Sequence, residues 1–166
     1  MRKFLFIAVL AFSLFANAKE NNFVNLKFGT SRSEALQIIK AQFGEPDTID
    51  GDNLIYREKS LNGYQFNKIV FGFESEGKGG YFNQARFFIT KPTRKLAVQQ
   101  RDSLAKYMET DYGVSCDYEE NGNKFYKGGI APTGIGFLFT ICTQRREGHW
   151  TTELRYGAFH QLKHCK

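Results

Sequence analysis

The chain has few of the residues that usually build small chemical sites. In 166 residues it holds three cysteines, three histidines, three prolines and one tryptophan. All three cysteines, Cys116, Cys142 and Cys165, fall in the second half. After residue 15 no run approaches the ~20 apolar residues that a membrane span needs. There is also no Lys/Arg block, which argues against the basic stripe of a nucleic-acid-binding surface. The segment "EGKGG" at 76–80 lacks the Gly-Lys-Ser/Thr ending of a phosphate loop and reads as a hairpin turn.

What is present begins with "MRKFLFIAVLAFSLFANAKE". Arg2 and Lys3 precede an apolar run from Phe4 to Phe15, then small residues at Ala16 and Ala18. This is the pattern of a secretory signal peptide, residues 1–18, with cleavage after Ala18. No cysteine follows the cut, which argues against lipid-anchored export. An exported protein, periplasmic or extracellular, without stable membrane insertion is therefore expected. Its removal leaves 21 basic and 17 acidic residues, a modest net charge of +4. An oxidising compartment favours a disulfide. Cys116 with Cys142, both expected in strands of one sheet, is the favoured pair; Cys142 with Cys165 is the alternative.

The remainder reads as one order of elements written twice at an offset of about 70 residues. Each half, 19–90 and 91–166, runs helix, aromatic-Gly stop (Phe43-Gly44, Tyr112-Gly113), turn, strand ending in tyrosine (Tyr56, Tyr126), loop glycine (Gly63, Gly134), long apolar strand, glycine turn and final strand. Ser31 with Glu34 forms a capping box, and Leu36, Ile39 and Phe43 recur at helical spacing before Gly44 and Pro46. A second helix is expected from about Thr93 to Asp111. Short aromatic and β-branched runs follow each helix, punctuated by "DGDN", "NG", "ENGN" and "REG", as in antiparallel hairpins.

On these residues the chain resembles the beta-lactamase inhibitor protein-like (BLIP-like) fold. It is also similar to small secreted Bacteroidetes-type proteins in which helix-FGxP, "YFNQ" and "LRYG" segments recur. Outer-membrane assembly lipoproteins are a more distant likeness, and they carry a lipobox cysteine that this sequence lacks. The BLIP-like resemblance implies an α+β fold: two helix-plus-β-meander repeats forming one curved antiparallel sheet, with helices on one face.

Strand alternation then assigns the faces. Ile69, Phe71 and Phe73; Ala85, Phe87 and Ile89; Phe137, Phe139 and Ile141; and Trp150, Leu154 and Tyr156 are expected to point to the core. Phe66, Lys68, Val70 and Glu74, then Phe82, Gln84, Arg86 and Phe88, Leu138, Thr140 and Cys142, and His149, Thr151, Glu153 and Arg155 are expected on the other face. Aromatic and arginine side chains dominate binding energy at interfaces. The open face, centred on Lys68, Phe82, Arg86, Phe88 and Arg155, is accordingly the expected binding site for a protein partner.

Other chemistry is weakly written. His160, His164 and Cys165 could bind metal only on a helical tail, and a solvated tail is the simpler reading. Asp47, Asp50 and Asp52 miss the spacing of a calcium loop and read as a turn. Cys116 or Cys142 with His149 lacks a nucleophile signature, and Glu74, Glu76 and Glu153 read as surface carboxylates. The expectation is a non-catalytic binding or inhibitory module with no cofactor and no metal. A cell-envelope structural or assembly factor is the alternative, and a small hydrolase ranks third.

Overall fold

The computed structural model describes residues 23–75, 79–160 and 162. Residues 1–18, expected to form a signal peptide, and Glu76, His164 and Cys165 lie outside these described residues. The fold is α+β: one open antiparallel sheet of eight strands and two helices. The chain runs α1 (Arg32–Phe43), β1 (Thr48–Asp50), β2 (Asn53–Leu61), β3 (Tyr64–Glu74) and β4 (Tyr81–Lys91). It continues with α2 (Arg94–Met108), β5 (Val114–Tyr118), β6 (Lys124–Gly128), β7 (Phe139–Arg146) and β8 (His149–Tyr156). Across the sheet the order is β1-β2-β3-β4-β8-β7-β6-β5. Each helix thus precedes four strands laid down in sequence, and the two fourth strands meet at the centre.

Local chemistry accounts for the element ends. The Ser31 hydroxyl accepts from the Glu34 amide at the start of α1, and Thr93 does the same for Leu96 at the start of α2. Gly44, at φ 80°, ends α1 in a conformation that a side chain would disfavour. The β2–β3 and β7–β8 hairpins close through Asn62-Gly63 and Glu147-Gly148, with φ positive at both residues of each pair, as the twist of a two-residue hairpin requires. Among the described residues no helix is long and apolar enough to cross a membrane.

The main core joins both helices to alternate strand residues. Ala35, Ile39 and Phe43 of α1 and Leu104, Ala105 and Met108 of α2 share one apolar cluster with Ile69, Phe71, Phe87, Phe139, Ile141, Leu154 and Tyr156. Phe23, Val24, Leu26 and Phe28, from the segment before α1, are buried in the same cluster. A separate small cluster, Ile55, Val70 and Phe88, lies on the opposite strand parity.

Several expected faces are corrected. Phe82 is fully buried in the main core, because the β3–β4 register shifts between Gly72 and Phe73 and leaves Asn83 as an extra residue on β4. One inserted residue turns every side chain beyond it to the other face. Phe82 therefore pairs with Phe73 and stacks on Phe28, ring centroids 4.8 Å apart and planes 10° apart. Phe66 is likewise in the core, beyond an irregularity at Asn67 and at Glu58, whose φ is 46°. Phe137 and Leu138 precede β7 rather than belonging to it; Phe137 is 48% exposed and Leu138 is buried.

The favoured disulfide is also not formed: Cys116 and Cys142 are both free thiols. Cys116 pairs with Tyr126 on β6, and Tyr126 pairs with Ile141 on β7, so Cys116 shares a face with Ile141 and Cys142 points to the other. With a whole strand between them, their Cα atoms stand about two strand spacings apart, roughly 9.5 Å. Disulfide bonding needs Cα atoms within about 7 Å.

Candidate functional site: a cation-ringed phenylalanine on the second sheet face

The parity that carries Ile55, Val70 and Phe88 defines the site's face. Register aligns Arg57, Lys68, Phe88, Glu153 and Cys142 across β2, β3, β4, β8 and β7. A neighbouring row aligns Ile55, Val70, Arg86, Arg155, Thr140 and Lys127. Four of the five expected binding residues, Lys68, Arg86, Phe88 and Arg155, are therefore brought together. Phe82 is not among them.

Phe88 is only 6% exposed although it stands outside the main core. It packs with Ile55 and Val70, and three cations lie over its ring. Arg86 is 5.0 Å from the ring centroid, Arg146 5.6 Å and Lys68 5.8 Å. A cation over an aromatic face is drawn to the ring's negative quadrupole. Here the cations also roof an apolar side chain that water would otherwise reach.

Glu153 holds that roof in place. Expected at the surface, it is fully buried instead. Its Oε1 accepts from Arg86 Nε at 2.8 Å and Arg155 Nε at 2.9 Å, and its Oε2 from Arg146 at 2.7 Å and Gln144 Nε2 at 3.0 Å. Burial opposes its ionisation, but the hydrogen bonds and charges of Arg86 and Arg155 outweigh that and hold its carboxyl below the ordinary carboxylate range. Around Phe88 and Glu153, four cations, Lys68, Arg86, Arg146 and Arg155, face one carboxylate. Arg146 Nε is buried with no hydrogen-bond partner among the described residues.

Arg146 and the burial of Glu153 escaped the sequence reading. The only available signal was strand alternation from Cys142 through Gln144 to Arg146, which places Arg146 on the same face.

The other candidates separate. Hairpin register puts His149 opposite Arg146, four residues along β7 from Cys142. The Cys142 thiol is pushed up to about 11, first by burial and then by the Glu153 charge. It is a poor thiolate, and the structure does not bring it to His149. Asp47 accepts from the Arg57 amide at 2.7 Å, while Asp52 is bonded to Arg32 and Ser75. Among the described residues no group of three or more His, Cys, Asp or Glu could hold a metal ion. Tyr56 is a core residue whose hydroxyl donates to the Gly44 carbonyl at 3.1 Å, and Tyr126 bonds to Asp102 at 3.1 Å.

A concave feature lies beside the Phe88 cluster, where β7 begins and β8 ends. A cavity of about 470 Å³ opens between the 131–138 loop and residues 157–160. Arg155 borders both this cavity and the Phe88 cluster.

No protein-family model, curated protein or solved structure matches this chain.

Proposed function

We propose that this chain is an exported, non-catalytic module that binds and occludes a protein partner bearing an acidic surface. Its two helix-plus-β-meander units are read as repeats sharing one sheet in the BLIP-like manner, with both helices on one face and the Phe88 face turned to the partner. The observation that carries this reading is Phe88 under three cations beside a carboxylate that neutralises only part of their charge. Charge complementarity of this kind steers encounter and selects the partner, while the arginines held in place over Phe88 supply the contacts. Binding would be stoichiometric and need no cofactor.

The test is capture of partners from periplasm and spent medium by the purified protein, beside an Arg86→Ser/Phe88→Ser variant and an Arg146→Glu variant. Retention of an acidic protein by the wild type, weakening as salt is raised and lost in both folded variants, is expected. Equal retention of every bound protein by variants with unchanged circular dichroism would sink the reading.

A further inference from the structure

The cavity beside Arg155 has a chemistry of its own. Its walls mix apolar side chains, Ile135, Phe137, Leu138 and Phe159, with Thr133, Thr140, Arg155 and His160; among the described residues no aspartate or glutamate lines it, and Glu74 lies behind His160 at 3.4 Å. The volume of about 470 Å³ lies within the range of small-molecule sites, ~300–1,000 Å³. The loop that forms one wall also exposes apolar side chains: Ile135 is 85% exposed and Phe137 48%. Apolar residues grouped on one loop at the mouth of a cavity mark a binding surface more than scattered ones do. Gly134 and Gly136 flank Ile135 at φ 74° and 88°, so a conformation that few other residues tolerate holds Ile135 outward.

The polar end is preset. Arg155 Nε is engaged by Glu153 Oε1 at 2.9 Å, and its terminal amino groups make no hydrogen bond among the described residues. A planar guanidinium fixed at one nitrogen offers the other two as a fork for a carboxylate.

We propose that this cavity binds an amphiphilic monoanion, an unbranched or lightly branched apolar chain with a carboxylate head, the chain against Ile135 and Phe137 and the head on Arg155. The site is separate from the partner-binding reading and shares only Arg155 with it. A cationic amphiphile would meet Arg155 unpaired, and a neutral one would leave the guanidinium fork unfilled.

Calorimetric titration of the purified protein with decanoate, decanol and decylammonium, all below their micelle concentrations, tests it. Saturable one-to-one binding of decanoate is expected, at least ~10-fold tighter than decanol, with no binding of decylammonium. Arg155→Gln should bring decanoate and decanol to equal affinity. Because that change also disturbs Glu153, Ile135→Asp is run beside it: an exposed position that leaves the core intact and should weaken decanoate at least ~10-fold. Arg86→Gln should leave decanoate binding in place, so failure of the sheet-face reading and failure of this one are distinguishable. Equal affinity for decanoate and decanol in the wild type overturns the proposal. So does decanoate binding untouched by Ile135→Asp, or binding seen only with anionic lipid vesicles and not with monomeric decanoate.

Discussion

Arg86 Nε donates to Glu153 Oε1 across 2.8 Å, joining β4 to β8 over 67 residues of sequence. The carboxylate is fully buried, whereas the arginine side chain is 24% exposed. One partner is thus wholly desolvated and the other only partly. A buried carboxylate in this state depends on its partners far more than they depend on it.

That asymmetry sets a pH dependence. The folded-state pKa of Glu153 lies below its ordinary value of 4.5, so the unfolded chain takes up the proton first as pH falls. The contribution to stability is complete above about pH 4.5 and is lost as pH drops through the lowered folded value. Glu153→Gln removes the charge and puts an amide donor among arginine donors; because Arg86, Arg146 and Arg155 remain partly in water, this should cost about 1–3 kcal/mol at pH 7. Urea unfolding across pH 3 to 7 checks both: the wild type should lose stability toward acid, and the variant's deficit should shrink there.

The two described cysteines should differ in reactivity. Cys116 is exposed, whereas Cys142 is half-buried and its thiol is pushed up to about 11. Only the thiolate alkylates, so at pH 8 Cys142 should react with iodoacetamide ~100-fold more slowly than Cys116. Peptide mass spectrometry over a time course reads the two rates. Equal rates would contradict the burial of Cys142, and absence of labelling at Cys116 under native conditions would contradict its free exposed thiol.

Phe82 offers a structural prediction that opposes its sequence-level role. Stacked on Phe28 and in contact with Phe71 and Phe73, it is a core residue. Phe82→Ala should cost about 3–5 kcal/mol in chemical denaturation. At a temperature where the variant is still folded, the Phe88 face is intact and partner capture should match the wild type. Loss of capture by the folded variant would show that Phe82 reaches the partner after all.

Much of the fold was legible because several local signals agreed. Ser31 with Glu34, Gly44, Thr93, Asn62-Gly63 and Glu147-Gly148 each mark a boundary through backbone chemistry that acts over a few residues. Alternation placed Lys68, Arg86, Phe88 and Arg155 on one face correctly. It failed at Phe82 and Phe66 because a single extra or irregular residue inverts a strand, and neither Asn83 nor Glu58 announces this in sequence. Phe23 to Phe28 went unread because this segment is buried without being a regular helix or strand. The hidden charge of Glu153 depends on three arginines from three strands, an arrangement that no local window contains.

The order in which strands are laid into the sheet has a consequence for how the chain finds it. Every pairing from β1 to β4, and again from β5 to β8, joins strands adjacent in sequence; only β4 with β8 does not. Local hairpins close quickly, whereas a distant pairing must first overcome the entropy of a long loop. The central seam is thus the slow, late event of assembly. Arg86 reaches Glu153 from β4, across the seam, and Arg146 from β7 on the other side, so the carboxylate loses its water only as that seam shuts. Substitutions at Glu153 would then slow the closing of the seam, and with it the folding rate, while leaving the early hairpins nearly untouched.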